Sequence, residues 1–480
     1  MNTKYESVIG LEVHAQLLTD TKIFCGCSNK FGSQPNSNVC PVCLGHPGVL
    51  PVMNKKVIEF TVLMGLATEC IINEKSVFAR KNYFYPDLPK GYQISQFEQP
   101  ICEQGNILIE LKSGEKKKIG ITRIHMEEDA GKSIHDQTNA TLIDVNRCGT
   151  PLMEIVSEPD MRSGEEAYLY LTKLKQIVTY LGICDGNMEE GSLRCDANIS
   201  VRLKGTEKFG TKTEVKNMNS FRNVERAIEH EIERQIDILE DGGIITQQTL
   251  LWDADKNEVK PMRSKEEAHD YRYFPDPDLM PVFVSTIWEN EIASIMPELP
   301  EMKKERFISQ YSLPKYDAEI LTSTRALSDY YEKVAQSSND YKSVSNWIMT
   351  DVLKTVNEKN ISISDFPIIP ENLGQLINLI NEKVISVKIA KEVFQEMVET
   401  KKAPDEIVKE KNLVQISDTT EIESAIDKIL TANASQVKEY LSGKEKVLGF
   451  FVGQIMKETK GKANPQILNK LLKKKLELLR

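Results

Sequence analysis

Hydrophobic and polar positions along this chain fall into two regimes. Through about residue 290 the dominant period is two. Ile9, Leu11, Val13 and Ala15 alternate with Gly10, Glu12, His14 and Gln16. Leu193, Cys195, Ala197, Ile199, Val201 and Leu203 alternate with Arg194, Asp196, Asn198, Ser200 and Arg202, and Lys212, Glu214 and Lys216 repeat the spacing. Strict alternation predicts half-buried strands, here of an antiparallel or mixed sheet with one charged face. Two long helices interrupt them. Ser163 and Glu166 make a capping-box pair before Ala167, Leu171, Leu174, Val178 and Leu181, with Gly182 as the stop. From Ser220 the apolar residues Phe221, Val224, Ile228, Ile232, Ile236 and Leu239 keep a helical register up to Gly242 and Gly243. After Pro297 and Pro300 the pattern turns helical, and a final helix capped by Asn464 and opened by Pro465 directs Leu468, Leu471, Leu472, Leu476 and Leu479 to a core.

At 480 residues the chain exceeds one core, so roughly two to four domains are expected. The expected division is 1–296 with the strands, 297–411 all helical, and 412–480 a helical tail. The fold class is therefore α+β. The first residues have neither a signal peptide nor a transit peptide pattern, and no apolar stretch is long enough to span a bilayer. Nine cysteines without a secretory signal argue against a disulfide framework. The expected location is the cytoplasm, with no membrane partner.

Charge is unevenly placed. The whole chain carries −10, but residues 444–480 hold ten Lys or Arg and three Glu, a local +7 that leaves −17 for the rest. An acidic body with a basic end predicts nucleic-acid contact at that end. A solvated basic helix face is the other reading.

The sharpest chemical signal is Cys25-x-Cys27 followed, after twelve intervening residues, by Cys40-x-x-Cys43. Two close pairs at this separation suit a closed tetrathiolate zinc site, and Pro41, Gly45 and Pro47 supply the turns of a knuckle. A second signal is a set of acids in strand sequence: Glu12 beside His14, then Glu127 and Glu128, Glu154, Asp196 and Glu214. Such hard donors with an imidazole suit Mg2+ or Mn2+, which neutralise phosphate oxygens in transfer from ATP. In an extended strand Glu127 and Glu128 point to opposite sides, so joint metal binding needs the strand to end or bulge there. Asp129-Ala130-Gly131-Lys132-Ser133 ends like a phosphate loop, but Met126 occupies the place of its first glycine. The run from Lys260 to Lys265 looks like the lysine loop of class I aminoacyl-tRNA synthetases but lacks that motif's histidine partner segment.

Over essentially its full length the chain resembles the B-subunits of aspartyl/glutamyl-tRNA(Asn/Gln) amidotransferases, the GatB family. The resemblance is carried by IGLEVHAQL, RKNYFYPDLPKGYQISQ, ITRIHMEEDAGKS, NRCGTPLMEIVSEPD, MEEGSLRCDANIS, DYRYFPDPDL and GFFVGQIMKETKGKANPQ. It implies a glutamine synthetase-like antiparallel-sheet catalytic domain followed by two all-helical domains. It implies a heterotrimer with two partners, an amidase A-subunit together with a small C-subunit. The complex so implied acts on misacylated tRNA with ATP, Mg2+ (or Mn2+) and Zn2+. The carry-over of residues gives His14, Glu128 and Glu154 as a first metal site. Glu12, Glu127, Asp196 and Glu214 make a second cation site, and Lys81 and Lys90 lie along an ammonia path, with Glu128, Lys81 and Lys90 catalytic. Some members lack the zinc cysteines; this chain has all four. The rival reading is a non-catalytic, zinc-containing tRNA-binding scaffold.

Overall fold

A computed structural model describes residues 4–134, 140–264, 271–413, 419–459, 463 and 465–479. It divides into two compact units, Met1–Pro300 and Glu301–Arg480.

The first unit is built on a nine-stranded mixed sheet. From one edge its strands run Glu258–Ser264, Gln248–Asp253, Thr213–Lys216, Leu193–Leu203, Tyr5–Gln16, Pro151–Ser157, Lys116–Glu128, Cys102–Glu110 and Ile71–Ile72. All neighbours are antiparallel except Thr213–Lys216 with Gln248–Asp253. The alternation read from the sequence decides which side is buried: Ile9, Leu11, Val13 and Ala15 are at most 1% exposed. They join Ile124, Met126, Met153, Ile155, Ala197 and Ile199 in one core.

That core is closed by three helices. Gly164–Leu181 starts where Ser163 accepts the Glu166 N–H and stops at Gly182 in the left-handed conformation. The capping box is half formed, because the Glu166 carboxylate accepts from the N–H of Arg162, and from Lys117. Phe221–Glu240 begins where expected, with Ser220 as its cap accepting the Asn223 N–H. The third helix, Lys55–Ala67, leaves no amphipathic signature in the sequence. Its Val57, Ile58, Phe60, Val62, Leu63 and Met64 are buried almost all round, which erases the 3.6-residue period.

The second unit is helical throughout. Phe307 to Val408 contribute one buried cluster, and Ile422 to Leu476 a separate, smaller one. In the last helix, Pro465–Leu478, Leu468, Leu472 and Leu476 are fully buried. Leu479, expected in the core, is 56% exposed because the helix has already ended. The Asn464 cap lies outside the described residues. No described helix is long and apolar enough to cross a membrane.

Candidate active site: a carboxylate face and a thiolate knuckle

Strand register brings the strand acids together on the face opposite the core. His14 pairs across to Glu154, and Glu154 to His125; Glu12 pairs to Asp196, and Asn198 to Glu214. Directly opposed residues of a sheet share a face, as do residues two apart. The consequence is two adjacent donor sets, His14 with Glu127 and Glu154, and Glu12 with Asp196 and Glu214. Within each, the ligand atoms lie within 4.8 Å of one another.

In the first set, His14 Nε2 is 3.5 Å from Glu127 Oε1 and 3.4 Å from Glu154 Oε2, while His125 Nε2 is 3.3 Å from Glu154 Oε2. The imidazoles hold the buried Glu154 carboxyl well below its usual range, against the desolvation that would raise it. Burial works against a charge on His14, but Glu154, Glu127 and Asp196 outweigh it and hold its pKa up at about 9. In the second set Asn198 donates to Glu12 at 2.9 Å and Thr249 to Glu214 at 3.0 Å. Lys216 bridges Asp196 and Glu214, which keep its pKa raised in spite of burial. These lone pairs are held by protons and ammonium groups, in the place where divalent cations would sit. The chemistry of the donors fits hard cations.

Glu128 stands elsewhere. The Lys116–Glu128 strand shifts register between Ile121 and Arg123 but pairs regularly from Arg123 to Glu128, so Glu127 and Glu128 point to opposite faces. Glu128 accepts from Lys90 Nζ and from the N–H of Ile94, and both partners of the ion pair are under 10% exposed. Lys81 stands on the carboxylate side. Its charge is favoured by Glu127 and Glu154 despite burial, and it sits 4.8 Å over the Tyr271 ring. The neighbouring strand makes a polar contact with each residue: Gln93 donates to the Glu128 carbonyl at 2.6 Å, and Ser95 Oγ to Glu127 Oε2 at 3.2 Å.

Behind Glu128 lies the cysteine knuckle. Cys25, Cys27, Cys40 and Cys43 place their sulfurs within 4.8 Å of one another. The Cys40–Cys43 separation of 3.9 Å is near the roughly 3.8 Å edge of a zinc tetrathiolate. Hydrogen bonds from the Cys25 thiol and the Cys40 N–H, with the nearby Lys22 ammonium, draw the Cys43 thiol down to about 4. Donation to Cys43 pushes the Cys25 thiol up and burial pushes up Cys27, so thiolate character gathers on Cys43; four sulfurs at this spacing fit Zn2+. Beside the contact of knuckle and ion pair lies a cavity of about 220 Å³, lined by Cys25, Cys43, Gly45, Lys90, Glu128 and Gly149 among others.

Residues 7–290 match the GatB/GatE catalytic domain and 329–476 the GatB domain. The B-subunit of the aspartyl/glutamyl-tRNA(Asn/Gln) amidotransferase of Chlorobium phaeobacteroides is 58% identical over 473 residues, 98% of this chain and 99% of its own. Its counterpart from Geotalea daltonii is 58% identical over 478 residues, 99% of this chain and all of its own. The chain belongs to the amidotransferase B-subunit family.

In the two expected cation sets, Glu128 leaves the first and Glu127 moves from the second into its place. Glu127, not Glu128, stands with His14 and Glu154, and the second set is Glu12, Asp196 and Glu214 without Glu127. Adjacent residues of a regularly paired stretch such as Arg123–Glu128 cannot serve one face, which is the physical reason. His125 and Lys216 are the participants that sequence reasoning passed over. His125 was legible, since it shares parity with Glu127. Lys216, two residues from Glu214, was legible in the same way. Neither lookalike motif survives: Lys132–Ile134 is a strand paired with Leu142–Asp144, and Lys260 pairs with Asp253, with Lys265 outside the described residues.

The raised pKa of His14 has a measurable consequence. Below about pH 9 the imidazole holds a proton that a cation must displace, so affinity for Mn2+ should rise with pH toward 9. Calorimetric titration at pH 7.5 in buffers of different ionisation enthalpy should show about one proton released per ion bound at this set. A binding heat independent of buffer would contradict the arrangement.

Proposed function

We propose that this chain, as the B-subunit of a tRNA-dependent amidotransferase, phosphorylates the side-chain carboxylate of Glu or Asp misattached to tRNA(Gln) or tRNA(Asn) and converts it to the amide. The observation that carries the reading is the pair of acidic donor sets side by side on one sheet face, in a chain of this family. A carboxylate is a poor acyl donor, since its leaving group would be oxide. Attack of its oxygen on the γ-phosphorus of ATP releases ADP and leaves an acyl phosphate. Ammonia then attacks the acyl carbon, phosphate departs, and the surplus proton passes to solvent. Divalent cations on these sets supply neutralisation of phosphate charge. The chain's own groups orient them: Ser95 and the two imidazoles fix Glu127 and Glu154, and Asn198 and Thr249 fix Glu12 and Glu214. A mostly antiparallel sheet presenting such a face supports a glutamine synthetase-like fold, in which metals on carboxylates replace a phosphate loop.

An amidase, the A-subunit of the complex, supplies the ammonia, and a small C-subunit completes the assembly. Lys90 and Glu128 at the knuckle cavity, Gln93 and Ser95 on the neighbouring strand, and Lys81 on the carboxylate side serve ammonia delivery. Zn2+ at the four cysteines holds the knuckle closed without taking part in bond changes. The scaffold reading leaves the convergence of six strand residues without a use.

The basic end holds the tRNA. Lys457, Lys470, Lys473 and Lys474 are exposed, whereas Lys475 is tied to Asp427. Removing 412–480 from the assembled complex should weaken tRNA binding and leave glutamine hydrolysis intact. It should also flatten the salt dependence by roughly 0.7–0.9 per lost phosphate contact. Unchanged affinity and slope would show a merely solvated face. The function itself is tested by reconstitution with both partner proteins, where Glu-tRNA(Gln) should become Gln-tRNA(Gln) only with ATP, divalent cation and an ammonia source.

A further inference from the structure

The knuckle and the Lys90–Glu128 pair share a wall built from glycine. Gly45 follows the Cys40–Cys43 turn, whose backbone is fixed by hydrogen bonds from Leu44 N–H to Cys40 O and from Gly45 N–H to Val42 O. At φ +68° Gly45 presses directly on Lys90. A Cβ added there would lie 2.3 Å from Lys90 Cγ and 3.1 Å from its Cα. On the other side, a Cβ at Gly149 (φ +78°) would meet Lys22 Cδ at 3.5 Å, Cys43 Cβ at 3.6 Å and Glu128 Oε2 at 3.9 Å. Lys22 is itself fully buried, and its ammonium donates to the Asn38 carbonyl inside the knuckle loop. The knuckle backbone therefore packs on Lys90 through Gly45, while Gly149, from the turn before the Pro151–Ser157 strand, stands between Cys43 and Glu128.

We propose that Gly45 is a positioning residue: the thiolate knuckle, closed around its metal, sets the height of Lys90 over Glu128 and thereby couples glutamine hydrolysis to amide formation. This rests on the reading that Lys90 and Glu128 serve ammonia delivery. It assigns the knuckle a role in coupling, beyond holding a loop together. A contact of 2.3 Å to Lys90 Cγ, with the Cα only 3.1 Å away, is too short for real atoms, so a methyl group at Gly45 must displace Lys90. A displacement of about 1 Å in such a pair is worth roughly tenfold to a hundredfold in a positioned reaction.

The test is a double-mutant cycle in the assembled complex with Gly45→Ala, Lys90→Ala and both. The readouts are glutamine hydrolysed per amide formed, amide formation driven by ammonium chloride, zinc content and melting temperature. Gly45→Ala should waste about ten or more glutamines per amide, while ammonium-driven amidation stays within about twofold and one zinc per chain is retained. Lys90→Ala should uncouple to a similar degree. Added to Lys90→Ala, Gly45→Ala should change neither the ratio nor the melting temperature by as much as it does alone, because the Cγ it meets is gone. Independent, multiplying effects would overturn the proposal, even if Gly45→Ala also loses zinc. Normal coupling in Gly45→Ala alongside impaired Lys90→Ala would overturn it while leaving the delivery role standing. Normal coupling in Lys90→Ala would remove the delivery reading and this proposal with it.

Discussion

Glu127→Gln is expected to lower tRNA-dependent ATP hydrolysis and amide formation together, roughly a hundredfold or more. The substitution keeps the side chain's size and its contact with Ser95 and removes the negative charge between His14 and His125. A ligand lost from phosphoryl transfer removes a few kcal/mol of transition-state stabilisation, which converts to that factor. Ammonium chloride bypasses the amidase and the delivery path, so it should not restore the rate. Raised Mn2+ should restore part of it. Glutamine hydrolysis by the partner and tRNA affinity should be unchanged. A variant rescued by ammonia would move Glu127 from the phosphorylation site to the delivery path.

Glu128→Gln should behave in the opposite way, and should also destabilise the first unit. Its partner Lys90 is 9% exposed, so removing the carboxylate strands a buried ammonium. Such breaks cost about 3–5 kcal/mol, and Lys90→Met added to Glu128→Gln should recover much of that by removing the orphaned charge. In the single variant glutamine-driven amidation should fall at least about tenfold, while ammonium-driven amidation and ATP hydrolysis persist. Chemical denaturation reports the first effect and the two ammonia sources the second. Equal loss with either source would place Glu128 among the phosphorylation groups after all.

Much of this was legible from spacing alone. The alternation of Ile9 to Gln16 and of Leu193 to Leu203 fixes which side chains line the polar face, and the cysteine spacing marks the knuckle. The contrast between Glu127 and Glu128 was legible too, as a consequence of parity. The carried-over assignment set that parity aside. Register was not legible: that Glu154 faces both His14 and His125 depends on a pairing between strands about 140 and 30 residues apart in sequence, and local pattern cannot specify it. The helix Lys55–Ala67 was hidden for the reverse reason, since complete burial leaves no polar face to mark a period. Glu166 shows a smaller limit. A capping-box spacing predicts its partner, but Arg162 N–H and Lys117 compete for the same carboxylate and win.

Whether the carboxylate face activates the substrate by phosphorylation can be read from oxygen itself. Glu-tRNA(Gln) carrying ¹⁸O in both side-chain carboxylate oxygens is converted by the reconstituted complex with unlabelled ATP, and the released phosphate is analysed by mass. An acyl phosphate requires one substrate oxygen to leave with phosphorus, so each phosphate formed with amide should carry one ¹⁸O, and Glu127→Gln should abolish its appearance. Amide formation with unlabelled phosphate would contradict the account.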